Sequence, residues 1–192
     1  PQGIGGMTAL LGAAPDAVEE LCSAATRGAE SFVGAANWNG GGQVVVAGHL
    51  DALERLETLA REQKRRATRL KVSQPFHSPL MQPARERLEE VLATLVFHPM
   101  QIPVVSNVTA ENIVNHHMWP GLLAEQVTAP VRWEECALSV SQQAQASIET
   151  GSGRVLSGLM RRIARGYPCL PTASVDGIRE ILAKQTEATS DE

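Results

Sequence analysis

Residues Gln43 to Lys64 read QVVVAGHLDALERLETLAREQK, and the periodicity changes partway along them. QVVVA is a β-branched apolar run of strand length. From Leu50 to about Lys64 the spacing becomes helical, with Leu50, Leu53, Leu56 and Ala60 forming one apolar stripe. Upstream, NGGG (39–42) is a loop flexible enough for a hairpin, and it joins QVVVA to a second strand candidate, Phe32 to Asn37. Before that, Pro15 suits the first position of a helix reaching about Thr26, with Val18, Leu21, Cys22 and Ala25 on one face. MTALLG, Met7 to Gly12, is a short apolar strand candidate between glycines. Downstream, TRLKVS, Thr68 to Ser73, supplies a fourth strand. The order β-α-β-β-α-β is that of the ferredoxin-like split arrangement, so residues 7–73 are expected to form a small subdomain of that kind.

Residues 74–192 follow another rhythm. Pro83 argues against a regular helix from Ser78, so the main helix is expected from about Pro83 to Leu95, burying Leu88, Val91, Leu92 and Leu95. PVVSNV (103–108) reads as a strand, and Trp119 to Val127 and Trp133 to Gln143 read as helices. QASIETGSGRVLSGLMRRI (145–163) reads as strand, glycine turn and helix. Leu170 to Ser174 and Val175 to Lys184 form a last strand and helix, before a polar tail, TEATSDE, expected to fray. Alternating strands and helices imply an α/β layer architecture.

Hydrophobic residues make up 43% of the 192 and charged residues 20%, enough apolar content for a packed core. A net charge of -4 gives no argument for nucleic acid. The three cysteines, Cys22, Cys136 and Cys169, are scattered without a CxxC, which fits a reducing compartment and no zinc site. No apolar run has transmembrane length and no signal peptide is evident, so a cytoplasmic setting without membrane partners is expected. The chain opens on PQGIGGMTALLG without an initiator methionine and reads like a piece of something longer.

Chemistry gathers around QPFHSPLM, Gln74 to Met81. Pro75 disfavours helix before it, and Ser78-Pro79 looks like an N-cap and first helical residue. His77 therefore sits where an extended segment ends and a helix begins, as a structural turn residue or as an acid/base group at the lip of a cleft. A partner nucleophile is not evident. No serine has the GxSxG context, and the nearest imitation, TGSGR (150–154), begins with Thr150. Cys22 lies on a predicted core face, and the other cysteines lack an activating context. His116 and His117 are expected to point apart on a solvent-facing loop rather than bind metal. His49 and His98 look like boundary residues. The glycines at 40–42 are not followed by a phosphate-loop helix. The basic groups Lys64-Arg65-Arg66 and Arg161-Arg162 read as solvated helix ends that an acidic partner could meet.

Six segments together, GGMTALLG, NWNGGGQVVVAGH, KVSQPFHSPLM, PVVSNV, LLAEQVTAPVRWEE and ETGSGRVLSGLMRRI, resemble the malonyl-CoA:acyl-carrier-protein transacylases and the acyltransferase domains of polyketide synthases. They run in the family's order and nearly its spacing. The resemblance implies an α/β-hydrolase-like core with an inserted ferredoxin-like subdomain, of which residues 74–192 would be the C-terminal part of the large subdomain. It implies that His77 is the catalytic histidine, relaying a proton as a serine attacks a malonyl thioester and then as a carrier phosphopantetheine thiol attacks the ester. Gln126 matches the residue whose backbone carbonyl orients that histidine. Phe76 matches the bulky residue of malonyl-selective members, and Arg65 and Arg66 match basic residues that meet the acyl carrier protein. Malonyl-CoA enters as substrate, with no tightly bound cofactor and no metal.

Two departures qualify the match. ETGSG (149–153) stands in place of the family's glycine-proline-glycine turn. The family's GHSxG serine, its carboxylate-clamping arginine and its oxyanion-hole donors belong to a preceding segment, so this chain is expected to supply the histidine but not the serine, and to be inactive alone. Two other readings stand beside the acyltransferase: a non-catalytic fragment that only docks a carrier protein, and a related acyl hydrolase.

Overall fold

The computed structural model describes residues 3–190. It forms two compact units, one ending at Cys136 and one beginning at Ala137. The first unit opens with β1 (Gly5–Leu11), α1 (Pro15–Ala25), β2 (Val33–Gly40), β3 (Gln43–His49), α2 (Leu50–Glu62) and β4 (Arg66–Arg69). The four strands make one sheet in the order β2-β3-β1-β4, and every neighbouring pair is antiparallel. The β2–β3 turn needs its glycines, since Gly40, Gly41 and Gly42 all have φ between 58° and 75°.

QVVVA has no polar alternation because both faces of β3 are buried. Val44 and Val46 join Leu10, Val18, Leu21, Leu53 and Leu56 in a core beneath α1 and α2. Val45 and Ala47 join Met7, Ala9 and Ala36 on the opposite face. The face of α1 is the predicted one. In α2 the buried set is Ala52, Leu53, Leu56 and Ala60, while Leu50 is exposed. Leu50 lies roughly 100° around the helix from the centre of that set, outside the stripe. Strand β4 comes earlier than the expected 68–73. Leu70 N–H still reaches Met7 O at 2.9 Å, and beyond it Lys71 and Val72 are exposed.

The unit continues with a 3-10 turn (Pro79–Met81), α3 (Gln82–Leu92), β5 (Val104–Val105), β6 (Asn112–Ile113), a second 3-10 turn (His116–Met118), α4 (Trp119–Gln126) and the start of α5 (Trp133–Gln143). Its boundary lies well beyond Ser73 because residues near 131 bond to β2: Trp38 N–H donates to Val131 O and Val131 N–H to Ala36 O, each at 2.8 Å. Helix α3 accommodates Pro83 in its first turn, where no intrahelical N–H is required. It ends at Leu92, and of its expected apolar face only Leu92 is buried; Val91 is 46% and Leu95 54% exposed. PVVSNV contributes only a two-residue strand, paired with β6, which its polar sequence did not announce.

In the second unit β7 (Ser147–Glu149) and β8 (Cys169–Pro171) pair in parallel, with α6 (Val155–Ile163) between them in the chain. Helix α7 (Val175–Ser190) runs into the stretch expected to fray, whose last two residues lie outside those described. Glu149 links strand to helix: its carboxylate accepts Leu156 N–H at 2.9 Å and Ser157 N–H at 2.8 Å. Burial pushes its pKa up, but these bonds outweigh it and hold the carboxyl below the ordinary range. A negative charge from the strand end thus satisfies the first turn of α6.

Two outcomes follow from the sheet. A Cβ on Gly48 would lie 2.2 Å from Phe32 O and 2.6 Å from Val33 Cα, both backbone atoms. Gly48→Ala is expected to destabilise by at least about 2 kcal/mol, read as a lower urea midpoint with unchanged slope. Glu57 on α2 accepts Thr8 Oγ1 at 2.6 Å and Arg69 Nε at 2.7 Å. Burial raises its pKa, but Arg69 and Thr8 more than offset this and leave it below the usual value. Its contribution is therefore present above the unfolded carboxyl pKa and is lost as pH falls through the depressed folded value. Glu57→Gln is expected to flatten the acid side of the stability profile, measured by denaturation midpoints from neutral pH down to about pH 3.

Candidate active site

The loop bearing His77 is fixed by small contacts. Pro75 is almost fully buried and packs over Gly5, where a Cβ would come within 2.7 Å of the Pro75 ring. Ser78 Oγ–H donates back to Pro75 O at 2.6 Å, and Met81 N–H donates to Ser78 O at 3.0 Å. Ser78 sits at the N-terminus of the 3-10 turn, but its hydroxyl does not cap it as the sequence pattern implied; it braces the loop instead. His77 between them has φ 57°, a left-handed conformation uncommon for a side chain of this size. The surrounding bonds hold it there.

The ring is held from a second element. His77 Nδ1 lies 2.8 Å from Gln126 O, at the C-terminal end of α4. A carbonyl only accepts, so this contact requires the proton on Nδ1 and leaves Nε2 with a free lone pair. Gln126 also uses its side chain: Nε2–H donates to Ala129 O at 3.2 Å, bracing the turn after the helix.

His77 opens onto a cleft of about 540 Å³ lined among others by Ser23, Phe32, Trp38, Thr128 and Pro130. Its two aromatics were not singled out from the sequence. Phe32 has a readable signal: its ring covers Gly34, two residues along the same strand face, where a Cβ would meet the ring at 2.6 Å. Phe76, by contrast, is 42% exposed and is not among the lining residues. Arg65 and Arg66 lie at the Leu11 end of β1, opposite the Gly5 end from which the Pro75 loop departs. The strand rise separates those ends by roughly 20 Å.

Other candidates fall away for physical reasons. Burial, with Glu19 adding to it, pushes the Cys22 thiol up to about 12. Burial likewise raises Cys136 and Cys169, so neither is disposed to be a thiolate. Among the described residues no hydroxyl or thiol is hydrogen-bonded to the His77 ring. His116 and His117 do not point apart as expected: their ring centroids are 4.0 Å apart, because the 3-10 turn replaces the loop. Among the described residues no group of three or more His, Cys, Asp or Glu is placed to hold a metal ion, and no helix is long and apolar enough to cross a membrane.

No protein-family model matches the chain. Individual proteins do. The malonyl CoA-acyl carrier protein transacylase of Bacillus subtilis is 36% identical over 188 residues, covering 97% of this chain and 58% of that protein. The Escherichia coli K12 protein of the same name is 35% identical over 165 residues, 85% of this chain and 53% of that protein. Among solved structures, the acyl-carrier-protein-S-malonyltransferase of Bartonella henselae aligns with a TM-score of 0.88 at 36% identity, covering 95% of this chain and 58% of that one. A type II PKS acyl-carrier protein in complex with its malonyl-transacylase aligns with a TM-score of 0.90 at 32% identity, covering 96% and 60%. The chain is thus homologous, over nearly its whole length, to the malonyl CoA-acyl carrier protein transacylases, and it spans somewhat more than half the length of the curated relatives it matches.

Proposed function

We propose that this chain carries the histidine side of a malonyl-transfer site. A malonyl group passes from malonyl-CoA to the phosphopantetheine thiol of an acyl carrier protein through a serine ester, in fatty-acid or polyketide biosynthesis. The observation that carries this reading is the His77 Nδ1 contact with the Gln126 carbonyl, which leaves Nε2 available as a base at a cleft. In the first half-reaction Nε2 takes the serine proton as Oγ attacks the thioester carbon, and returns it to the departing CoA sulfur. In the second, Nε2 takes the carrier thiol's proton as sulfur attacks the ester, and returns it to the serine oxygen. The serine comes from a segment outside these 192 residues. The exposed apolar side chains Val91, Leu95, Ile102 and Val114 support such a partner.

On this reading the four-stranded sheet and its two helices are a ferredoxin-like subdomain (7–73) inserted in a hydrolase-like core, whose C-terminal part is 74–192. Arg65 and Arg66 contribute charge to carrier docking at the far end of the sheet, and Phe76, exposed beside the cleft rather than lining it, sets acyl selectivity once the serine-bearing segment completes the pocket. The competing reading, a fragment that docks a carrier without chemistry, draws on the lack of a hydroxyl bonded to the ring among the described residues.

Intact-mass analysis after incubation with malonyl-CoA separates the two, because only the transacylase reading yields a malonyl ester on an added serine-bearing segment. In that reunited enzyme His77→Ala is expected to lower transacylation by about 10²–10⁴-fold; unchanged single-turnover acylation would sink the assignment. Phe76→Ser is expected to improve use of a methylmalonyl thioester relative to malonyl, by no more than the roughly 10- to 200-fold that one methyl group is worth. Competition kinetics with the two thioesters measures that ratio.

A further inference from the structure

Helix α4 ends at Gln126, yet its hydrogen bonds continue. Val127 N–H donates to Ala124 O at 3.2 Å, Thr128 N–H to Glu125 O at 3.0 Å, and Ala129 N–H to Glu125 O at 2.8 Å. The last is a full helical rung, four residues back. The next would run from the N–H of residue 130 to Gln126 O, but residue 130 is proline and has no N–H. Proline also disfavours helical backbone at Ala129. The chain then turns outward, so that Val131 N–H reaches Ala36 O in β2 at 2.8 Å. Among the described residues no backbone N–H takes the Gln126 carbonyl; the His77 ring does, at 2.8 Å.

We propose that Pro130 is a positioning residue for His77. By withholding the one N–H that would extend the ladder, it reserves the Gln126 carbonyl for the imidazole and holds the ring as its Nδ1–H tautomer. Pro130 lines the same cleft as His77, so the effect is local. The Gln126 side chain, bonded to Ala129 O at 3.2 Å, closes the same turn and keeps the carbonyl facing outward from the ladder. The catalytic meaning of this arrangement rests on the function proposed above, whereas the tautomer does not.

The test is ¹⁵N NMR of the His77 ring in the folded chain, for the native protein, for Pro130→Ala, and for a variant with L-lactate at position 130. Lactate removes the proline ring but supplies an ester oxygen where alanine supplies an N–H. Native and lactate chains are expected to hold the Nδ1–H form. Alanine is expected to shift the tautomer ratio toward Nε2–H by about fivefold, the worth of one net hydrogen bond. A folded Pro130→Ala chain with the native ratio overturns the proposal, as does a lactate variant that shifts as far as alanine, since ring stiffness would then be the cause. If Pro130→Ala does not fold, the lactate variant decides: retention of the native ratio supports the proposal and its loss overturns it. None of these readouts needs malonyl transfer, so a failure of the functional reading is separately visible.

Discussion

The contact between His77 Nδ1 and the Gln126 carbonyl joins two segments 49 residues apart in sequence, and it asks something of each. The loop must present an imidazole from a left-handed backbone at φ 57°, a conformation maintained only where neighbouring contacts over-determine it. Here they are the buried Pro75 against Gly5 and the Ser78 hydroxyl on Pro75 O. The helix must offer a carbonyl that its own ladder does not consume. A carbonyl in this role fixes the tautomer as a carboxylate would, but brings no negative charge into the cleft.

Small residues make this geometry compatible with the sheet. Gly5 gives Pro75 its seat, and Gly48 lets β3 pass close to the backbone at Phe32 and Val33. Ala36 and Ala47 are fully buried on the face away from α1 and α2. One strand edge of the four-stranded sheet is continued by the backbone around Val131, only a few residues from Gln126. The same short stretch, 126–131, therefore both holds the histidine and ties the second part of the first unit to β2. Position along the chain and position in the site are linked through main-chain bonds rather than through side-chain identity.

The polar interior follows one rule in both units. Glu57 and Glu149 are carboxylates drawn out of water, and each is compensated by donors, a guanidinium and a hydroxyl in one case and backbone amides of the first turn of α6 together with the Ser157 side chain in the other. In each the bonds to the charged form outweigh desolvation. The turn 149–153 thus has a structural assignment of its own: its first residue caps the following helix from the strand end.

Local sequence specified the elements whose patterns are set by nearest neighbours. The strand and helix within Gln43 to Lys64, the buried face of α1 and the glycine turn at 40–42 were all legible, because side-chain periodicity and glycine φ preferences act over a few residues. The motif resemblance likewise singled out His77 and Gln126 as a pair. Tertiary structure decided the rest. Whether Val91 and Leu95 are covered depends on what packs against α3, which amphipathicity alone does not reveal. The aromatic lining of the cleft is Phe32 and Trp38 rather than Phe76 because sheet register, not sequence adjacency to the histidine, selects which rings line it. Strand β4 begins at Arg66 because that residue pairs with Leu11, the last of β1, and the His77 ring is seated by a carbonyl 49 residues away. Those outcomes turn on contacts between segments distant in sequence, and no local pattern encodes them.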